Sequence, residues 1–351
     1  MNSPAIKGPS KAPSISDVAR AAGVSVGTVS NVLNRPERVN EAMRTRVLTA
    51  IDELGFQRNE VARNLRERRT RTLGLVLSDI TTPFASALAR TVQGAALEAG
   101  YSVVFADNAE DVEREQDAVL DLYRNGVDGI LLAPSPGSQA YLVDLLDKGW
   151  PIIAVNRRTQ DAPVPAVITD HRGGAIEATD HLIRHGARRI GVVTRSPDIS
   201  SISDRHAGYE EALAAAGVAH DHRLVLEAEP TVDGGREAVH RLLELPADVR
   251  PQAIMSFSTA MTLGCMIAFR ELGVKVPDEV RFLAFDDAPW SVAMEPPLTS
   301  VALRSEHVGI EATARLIEWV GSGTRSLADD LVIPTHLIVR ASCGCSQDKR
   351  L

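Results

Sequence analysis

Residues 14–34, SISDVARAAGVSVGTVSNVLN, decide how the first part of this chain folds. Ser14 precedes Asp17 by three residues, which is a capping box that satisfies the free amides at a helix start. Apolar residues recur at helical spacing after it, and again after Ser25, a preferred N-cap residue. Gly23 lies between the two segments and permits the left-handed backbone of a tight turn. The sequence therefore predicts two short helices joined at this glycine.

The second of these helices has two chemically different sides. Val29, Val32 and Leu33 give it an apolar side. The other side carries small or polar residues, which are Gly27, Ser30, Asn31 and Asn34. A helix-turn-helix needs this division, because one face packs on the first helix while the other enters the major groove of DNA.

A third helix is expected to begin after Asn40 and to end at Gly55. Its inward-facing residues are predicted to be Met43, Val47, Ile51 and Leu54. Three packed helices would form a small core of their own. Capping and amphipathicity alone leave an ordinary helical hairpin open as the alternative.

A weaker helical segment follows, FQRNEVARNLR at residues 56–66. Asn59 is a suitable cap, but the apolar residues are only Val61, Ala62 and Leu65. A helix this short should be largely unfolded in water on its own.

Residues 14–66 resemble the N-terminal domain of the LacI/GalR family of bacterial repressors. Two linked patterns carry the resemblance, A-G-V-S-x-x-T-V-S-x-V-L-N and the hinge pattern N-x-V-A-R-x-L, at the expected separation. It implies that the hinge helix, with Asn59, Ala62 and Leu65, folds only on operator DNA and in a dimer. Leu65 would then wedge into the central base step from the minor groove. Such a wedge costs a few kcal/mol of unstacking, which the added contacts of a kinked duplex offset.

The same resemblance assigns roles to the second helix, which would enter the major groove. Each dimer would place two such helices in successive grooves of a near-palindromic operator. Base reading is implied for the positions that the family varies, which are Val26, Gly27 and Asn31. Phosphate contacts are expected from Thr28, Ser30 and Asn34.

Charge divides the chain in the same place. Residues 1–72 hold 13 Lys and Arg against 7 Asp and Glu, a net charge of +6, whereas the remainder has a net charge of −14. A basic head on an acidic body is typical of a phosphate-binding domain attached to a separate soluble domain. The overall charge of −8 conceals this difference.

The sequence contains no pattern of a signal peptide or a membrane-spanning segment. Residues 1–13 lack the apolar segment of a signal peptide and are expected to be a disordered tail. No apolar run approaches membrane-spanning length, so we expect a cytoplasmic protein that joins the nucleoid when bound to DNA.

Three cysteines, an odd number, argue against a disulfide framework. Cys343 and Cys345 hint at a metal or redox pair, but without nearby His or Cys partners we expect no metal site and no cofactor.

From Arg71 onward, short β-branched runs alternate with helical stretches. This pattern predicts parallel sheets covered on both faces, and two series of such runs predict two doubly wound lobes. The first series is 73–79, 101–107, 129–134 and 151–156; the second is 166–170, 188–194, 223–229, 253–258 and 281–287. The fold class is therefore an all-α helix-turn-helix head plus an α/β body. Ligands in such sheets bind at the carboxyl ends of the strands.

The body resembles the periplasmic-binding-protein-like effector domain of the same family, in which the chain crosses three times between lobes. On that basis the head is 14–57, the hinge and linker 58–72, the effector and dimerisation domain 73–342, and a tail 343–351. The N-lobe would be 73–160 with 300–324, and the C-lobe 165–290 with 331–342. A tail this short cannot form a tetramerising coiled coil, so a homodimer is expected.

Effector contacts are implied one position at a time in the cleft between the lobes. Phe84 matches the apolar wall, Arg157 a polar position, and Asp286 the ligand-binding carboxylate, while Trp290 offers a stacking face. Each of these could instead be an interface or surface residue. Ser203 and Ser258 stand where many family members have Arg and Asn, so the effector is expected to be modified, larger or less polar than a simple hexose. Arg205 is a candidate to compensate.

The sequence therefore predicts a DNA-binding repressor controlled by a small molecule, most simply a sugar or sugar derivative. A body controlled by another metabolite, a corepressor or a partner protein remains the alternative. A periplasmic sugar-binding protein would have no DNA head. A nicotinamide-dependent dehydrogenase would show G-x-G-x-x-G after a strand, and a hydrolase a nucleophile elbow; neither is present, so no enzyme is expected.

Overall fold

The computed structural model describes residues 13–56, 69–323 and 329–345. It divides into two compact units, Met1–Arg68 and Arg69–Leu351, here called the head and the body. Residues 1–12 of the expected tail and the hinge residues Asn59, Ala62 and Leu65 lie outside the described residues. The side chain of Asn34 also lies outside them.

The head has the predicted helix-turn-helix followed by a third helix. Its elements are α1 (Ile15–Ala22), α2 (Val26–Asn34), a 3₁₀ turn (Pro36–Arg38) and α3 (Glu41–Leu54). The Ser14 capping box is complete, and Gly23 has φ of 62° at the end of α1. Ser25 and Asn40 cap α2 and α3, and Gly55 ends α3 in the left-handed conformation. These local predictions are confirmed.

Valine and alanine side chains from all three helices form the core of the head. Val18, Val29 and Val47 are fully buried. The prediction for α3 was partly wrong, because Met43 and Leu54 are 38% and 36% exposed. Met43 and Leu54 lie near the two ends of α3, beyond the part of the helix that the small core covers. That core is filled instead by residues such as Ala50 and by the partly buried Ile51.

The body contains two sheets with helices between their strands. The strands are β1 (Thr72–Leu77), β2 (Ser102–Asp107), β3 (Gly129–Leu132), β4 (Ile152–Val155), β5 (Ala166–Thr169), β6 (Ile190–Thr194), β7 (Val225–Glu227), β8 (Ala253–Ser256), β9 (Arg281–Phe285), β10 (Thr299–Ala302), β11 (Leu331–Ile333) and β12 (His336–Ile338). The helices are α4 (Pro83–Glu98), α5 (Val112–Arg124), α6 (Leu142–Asp147), α7 (His171–Arg184), α8 (Ser200–Ala215), α9 (Val232–Leu243), α10 (Thr259–Leu272) and α11 (Ser305–Ser322).

The two sheets define an N-lobe and a C-lobe. The N-lobe sheet has the order β11-β5-β4-β3-β1-β2, and the C-lobe sheet has the order β12-β10-β9-β8-β6-β7. Every pairing in them is parallel except that of β10 with β12. The predicted doubly wound, predominantly parallel lobes are therefore present. Helices of the described segments lack the combination of length and apolar character needed to cross a bilayer.

The predicted lobe boundaries were wrong by one strand at each crossing. β5 pairs with β4, and β11 pairs with β5, so both belong to the N-lobe rather than the C-lobe. β10 pairs with β9 and belongs to the C-lobe rather than the N-lobe. A short β-branched strand can pair in either sheet. Its sequence therefore does not show which of the two lobes it joins where the chain crosses between them.

The body also extends beyond its predicted ends. Arg69 donates from Nη2 to the Val320 carbonyl oxygen at 2.7 Å, and the amide of Thr70 donates to Asp128 at 2.8 Å. Residues 69–72 are thus part of the body and not of the linker. At the other end, Cys343 is fully buried in the C-lobe core, so the tail begins later than predicted.

Cys343 and Cys345 are joined in a disulfide, against the expectation from the odd cysteine count. Gly344 lies between them with φ of 72° and turns the chain so that the two sulfurs meet. Counting cysteines tests only for a framework of long-range bridges and does not detect a pair this close. Cys265 is buried and free.

Candidate functional site

The outward side of α2 presents the residues predicted to read bases. Val26 is 45% exposed, and Gly27 and Asn31 are exposed as well. Thr28 and Ser30 are half-buried, and the Thr28 hydroxyl lies 2.9 Å from Ser25 Oγ. The side opposite these residues is held by Val29 and the rest of the head core. The face is thus solvent-accessible and fixed on a capped helix.

A cavity of about 170 Å³ lies between the carboxyl ends of the two sheets of the body. This is the edge at which open α/β sheets bind ligands. Polar side chains follow strands of both lobes and line it: Asp79, Glu110, Asn156, Arg157, Arg195, Ser258, Thr259 and Asp286. Phe84, Phe257 and Phe285 add apolar walls. The cavity therefore combines hydrogen-bonding groups and aromatic surface from two lobes.

Five of the seven residues predicted for effector contact line this cavity. They are Phe84, Arg157, Arg205, Ser258 and Asp286. Phe84 packs against the cores of both lobes. The geometry thus brings together residues that are far apart in the sequence, but it leaves two predicted ones outside.

Ser203 and Trp290 do not line the cavity, so the structure gives no support to their assignment as effector contacts. Ser203 is exposed, whereas Ser201 and Arg205 on the same helix face inward, as their separation of four residues requires. Trp290 packs against the C-lobe core that contains Phe282. Because Trp290 packs there and does not line the cavity, the structure does not support its predicted role as a stacking face for a ligand.

A buried network joins α7 and α8 beside the cavity. Arg205 Nε donates to His171 Nδ1 at 3.3 Å, and Arg205 Nη1 donates to the Phe257 carbonyl oxygen. His171 Nε2 therefore carries the ring proton and lies 3.1 Å from Asn156 Oδ1. The Arg205 guanidinium also stacks 4.6 Å from the centroid of the Phe285 ring. Protein partners already engage the Arg205 guanidinium. The prediction that Arg205 replaces the effector contact missing at Ser203 therefore has less support.

Lowering the pH is expected to destabilise the body through His171. Burial, then the charge of Arg205, holds the pKa of His171 well below its usual value, so the folded ring is neutral. The unfolded ring gains a proton below about pH 6.5, so stability is complete above that pH and is lost as the pH falls, by up to about 1.4 kcal/mol per pH unit. Urea denaturation at pH 7, 6 and 5 measures this slope.

His171→Gln should reduce the slope by about one proton. A slope in this variant equal to that of the unmodified chain would contradict the assignment to His171.

Glu110 connects the two lobes across the cavity. It accepts from Arg157 Nη2 at 2.7 Å within the N-lobe and from Arg195 Nη1 at 2.5 Å from the C-lobe. Burial disfavours the carboxylate, but the two guanidinium charges outweigh burial and hold the pKa of Glu110 below its usual value. While the carboxylate is ionised, the ion pair of Glu110 and Arg195 thus links the two lobes across the cleft.

Asp286 follows β9 at the floor of the cavity, with φ of 73°. Thr259 Oγ1 donates to its Oδ2 at 3.1 Å. Burial raises the pKa of Asp286, although the Thr259 hydrogen bond and the Arg205 charge partly oppose this rise. Its carboxylate remains an acceptor with capacity for a ligand hydroxyl or amide.

Sequence reasoning missed Glu110, Arg195 and Asn156. A signal for them existed, because each follows a strand whose carboxyl end points at the cleft. Applying that rule to every strand, rather than to family-matched positions alone, would also have found Asp79 and Thr259. His171 follows β5 by two residues, so the same rule would have pointed to it as well.

Comparison with known proteins gives matches for both units. The family model of bacterial regulatory proteins, lacI family, matches residues 14–59, and the model of the periplasmic binding protein-like domain matches residues 179–343. The chain is 36% identical over 340 residues to the HTH-type transcriptional regulator CelR of Thermobifida fusca, which covers 94% of this chain and 98% of the relative.

Two solved structures are similar to nearly the whole chain. The transcriptional regulator CelR–cellobiose complex has a TM-score of 0.69 and 34% identity, covering 94% of this chain and 99% of that chain. The lac repressor dimer bound to operator and the anti-inducer ONPF has a TM-score of 0.85 and 24% identity, covering 95% and 99%. At 24% identity, the similarity to the lac repressor dimer is a similarity of fold alone.

Proposed function

The chain belongs to the lacI family of bacterial regulatory proteins, DNA-binding regulators of transcription, and from that premise we propose that it is a repressor whose operator binding is controlled by a small molecule. The observation that supports this most strongly is a single chain with an exposed recognition helix in one unit and a polar cavity between two lobes in the other. We assign it no catalytic role and place it in the bacterial cytoplasm.

The exposed face of α2 would read bases in the major groove. Val26 is suited to a thymine methyl group, and Asn31 to the paired donor and acceptor of an adenine edge. Gly27 has no side chain and contributes by permitting close approach. Thr28, Ser30 and Asn34 would anchor phosphates and set the register without reading sequence.

Asn31→Ala is expected to change the preferred operator sequence. An asparagine–adenine pair is worth about 1–3 kcal/mol of discrimination, so preference at one base pair should fall roughly 5- to 150-fold. Selection from a randomised operator library, followed by binding measurements at fixed salt, gives this ratio. Replacing the exposed Arg20 with Ala is a control, which should weaken any binding without changing sequence preference. An unchanged preferred operator with Asn31→Ala would sink the assignment.

We propose a homodimer on a near-palindromic operator, with a hinge helix at Asn59, Ala62 and Leu65 that pairs only in one state of the body. Edge strand β2 supports an interface in the N-lobe, since Val104 and Phe105 are 44% and 37% exposed. Such apolar exposure on an edge strand is usually covered by a partner. Leu65 would wedge between bases from the minor groove.

The effector is proposed to be a sugar or sugar derivative. The cavity offers the Asp286 carboxylate, and Arg195 Nε is a buried donor without a hydrogen-bond partner among the described residues. A buried donor left unpaired costs about 1–3 kcal/mol, so a ligand oxygen that accepts from it gains that amount. Phe84 adds an apolar wall for a ring face. The relative's complex with cellobiose supports the same ligand class.

The cavity of about 170 Å³ is smaller than the roughly 300–1,000 Å³ of most ligand sites. A disaccharide would therefore require the lobes to separate, which breaks the pair of Glu110 and Arg195. We propose that this movement changes the spacing of the two hinges and so operator affinity. A coupling of roughly 1–3 kcal/mol would shift that affinity about 5- to 150-fold.

A ligand panel tests the proposal directly. Cellobiose, other disaccharides, modified sugars and simple hexoses are added to the full chain, and thermal shift and operator affinity are measured in parallel. We expect a larger or modified sugar to change both, with hexoses weak; tight hexose binding would refute the expected effector class. If no sugar binds and a cell extract metabolite or partner protein alone changes operator affinity, the alternative form of regulation is correct.

A further inference from the structure

Two histidines and a cysteine meet on the C-lobe, on the far end of α7 from the effector cavity. His181 is in the last turn of α7, and His185 directly follows the helix. Cys345 belongs to the C-terminal turn, and its Sγ lies 2.9 Å from His181 Nε2. Sequence reasoning expected no His near the cysteine pair, and that expectation was wrong because His181, 164 positions before Cys345, lies against it in the fold.

We propose that this cluster is a binding site for a thiophilic divalent transition-metal ion, with zinc the best fit, whose ligands are His181, His185 and Cys345. The three ligand atoms all lie within 4.8 Å of one another. Around a tetrahedral zinc ion, Zn–N of about 2.0–2.1 Å and Zn–S of about 2.3 Å place ligand atoms roughly 3.3–3.6 Å apart. Zinc binding therefore requires side-chain rotations that bring the three atoms to that spacing.

The local sequence places the three ligands with little freedom. His181 and His185 are four residues apart and therefore share one face of the helix, with ring centroids 4.7 Å apart. Gly344, with φ of 72°, turns Cys345 back towards them, and the buried Cys343 anchors this turn in the C-lobe core. His181 is buried while His185 is exposed, so the site is open to solvent on one side.

The disulfide makes the site depend on redox state. A thiolate is the metal ligand, whereas the sulfur of a disulfide is not. Reduction by a trialkylphosphine breaks the Cys343–Cys345 bond and forms two thiols with two protons from water, and the phosphine becomes its oxide. Zinc then displaces the Cys345 thiol proton to solvent and forms the Zn–S bond. Imidazole nitrogen and thiolate are the ligands that favour zinc over calcium or magnesium.

Zinc binding by the full-length chain without a histidine tag tests the site. Competition with a chromophoric chelator measures affinity and stoichiometry, with and without the phosphine. We expect about one zinc per reduced chain and at least roughly tenfold weaker binding by the oxidised chain. Cobalt(II) should give a thiolate charge-transfer band that Cys345→Ser removes.

The variants separate a built site from surface histidines that bind zinc weakly. His185→Gln should bind zinc at least about tenfold more weakly, and because His185 is exposed the substitution should leave the fold intact. His222→Gln is the matched control, since His222 is exposed and its ring lies 4.6 Å from that of His220 on the same lobe. It should bind zinc as the unmodified chain does.

Cys343→Ser tests the role of the disulfide, because it leaves Cys345 as a thiol. This variant should bind zinc without any reductant. Failure to bind zinc would overturn the three-ligand assignment. Equal binding by His185→Gln and His222→Gln, or by the oxidised and reduced chains, would overturn the site itself.

Discussion

Gly264→Ala is expected to lower the free energy of unfolding of the body by about 3 kcal/mol or more, and its Tm by roughly 6–12 °C. Helices α9 and α10 approach each other closely at this glycine. A Cβ at residue 264 would overlap the Val232 carbonyl oxygen and lie 2.7 Å from the Arg236 nitrogen. Both atoms belong to the backbone, so no side-chain rotation relieves the overlap. The loss is a large share of the roughly 5–15 kcal/mol that holds a typical domain together.

Gly94→Ala is the matched control for this substitution. Gly94 is also inside a helix, α4, but nothing lies within 4 Å of where its Cβ would be. Alanine there should stabilise the body by about 0.5–1 kcal/mol through helix propensity alone. Thermal denaturation followed by circular dichroism compares the two. A destabilisation of similar size in both variants would show that close helix approach is not the cause.

Local signals in the sequence predicted the head almost completely. Ser14, Gly23 and Ser25 act on neighbouring residues through caps and turns, so their effect is visible without the tertiary structure. The one error, at Met43 and Leu54, came from extending an apolar stripe beyond the part of α3 that the small core covers. Helix periodicity shows which face is buried but not how far along the helix burial extends.

In the body, local sequence signals predict the elements but not which distant segments they contact. Alternating strands and helices predicted two doubly wound lobes, and both are present. Which lobe takes β5, β10 and β11 depends on pairing between distant segments, and short apolar runs carry no mark of their partner. The close contact at Gly264 is also invisible in the sequence, because a glycine within a helical pattern does not reveal the backbone that faces it.

The cleft was predictable to the extent that its residues follow strands. Asp286 and Arg157 were found at strand ends, and the structure places both at the cavity. The ion pairs of Glu110 with Arg157 and Arg195 were not found, since they join loops that are far apart in the sequence, and the second pair joins different lobes. Arg205 was predicted as a ligand residue, yet its donors serve His171 and the Phe257 carbonyl oxygen. Residue type and position thus located the cavity, whereas the partners of each side chain required the fold.

Asp286→Asn is expected to weaken effector binding roughly 10- to 150-fold while leaving operator binding without effector unchanged. The substitution keeps the size of the side chain, and asparagine tolerates the φ of 73° found at this position. What it removes is the charge of an acceptor at the cavity floor. A hydrogen bond to a charged group is worth about 1.5–3 kcal/mol, which corresponds to that range of affinity. Titration calorimetry with cellobiose, or with the sugar that the ligand panel selects, measures the change.

Asp198→Asn is the charge-matched control, because Asp198 is exposed on the same lobe and does not line the cavity. It should leave effector affinity unchanged. The pH dependence gives a second check, since burial raises the pKa of Asp286 and its carboxylate is therefore protonated at a higher pH than an ordinary aspartate. Effector affinity of the unmodified chain should fall as the pH is lowered through that pKa, and the Asp286→Asn variant should lack this fall. If the variant binds the effector as tightly as the unmodified chain, Asp286 makes no contact with it, and recognition must come from Arg195 and the other residues at the strand ends.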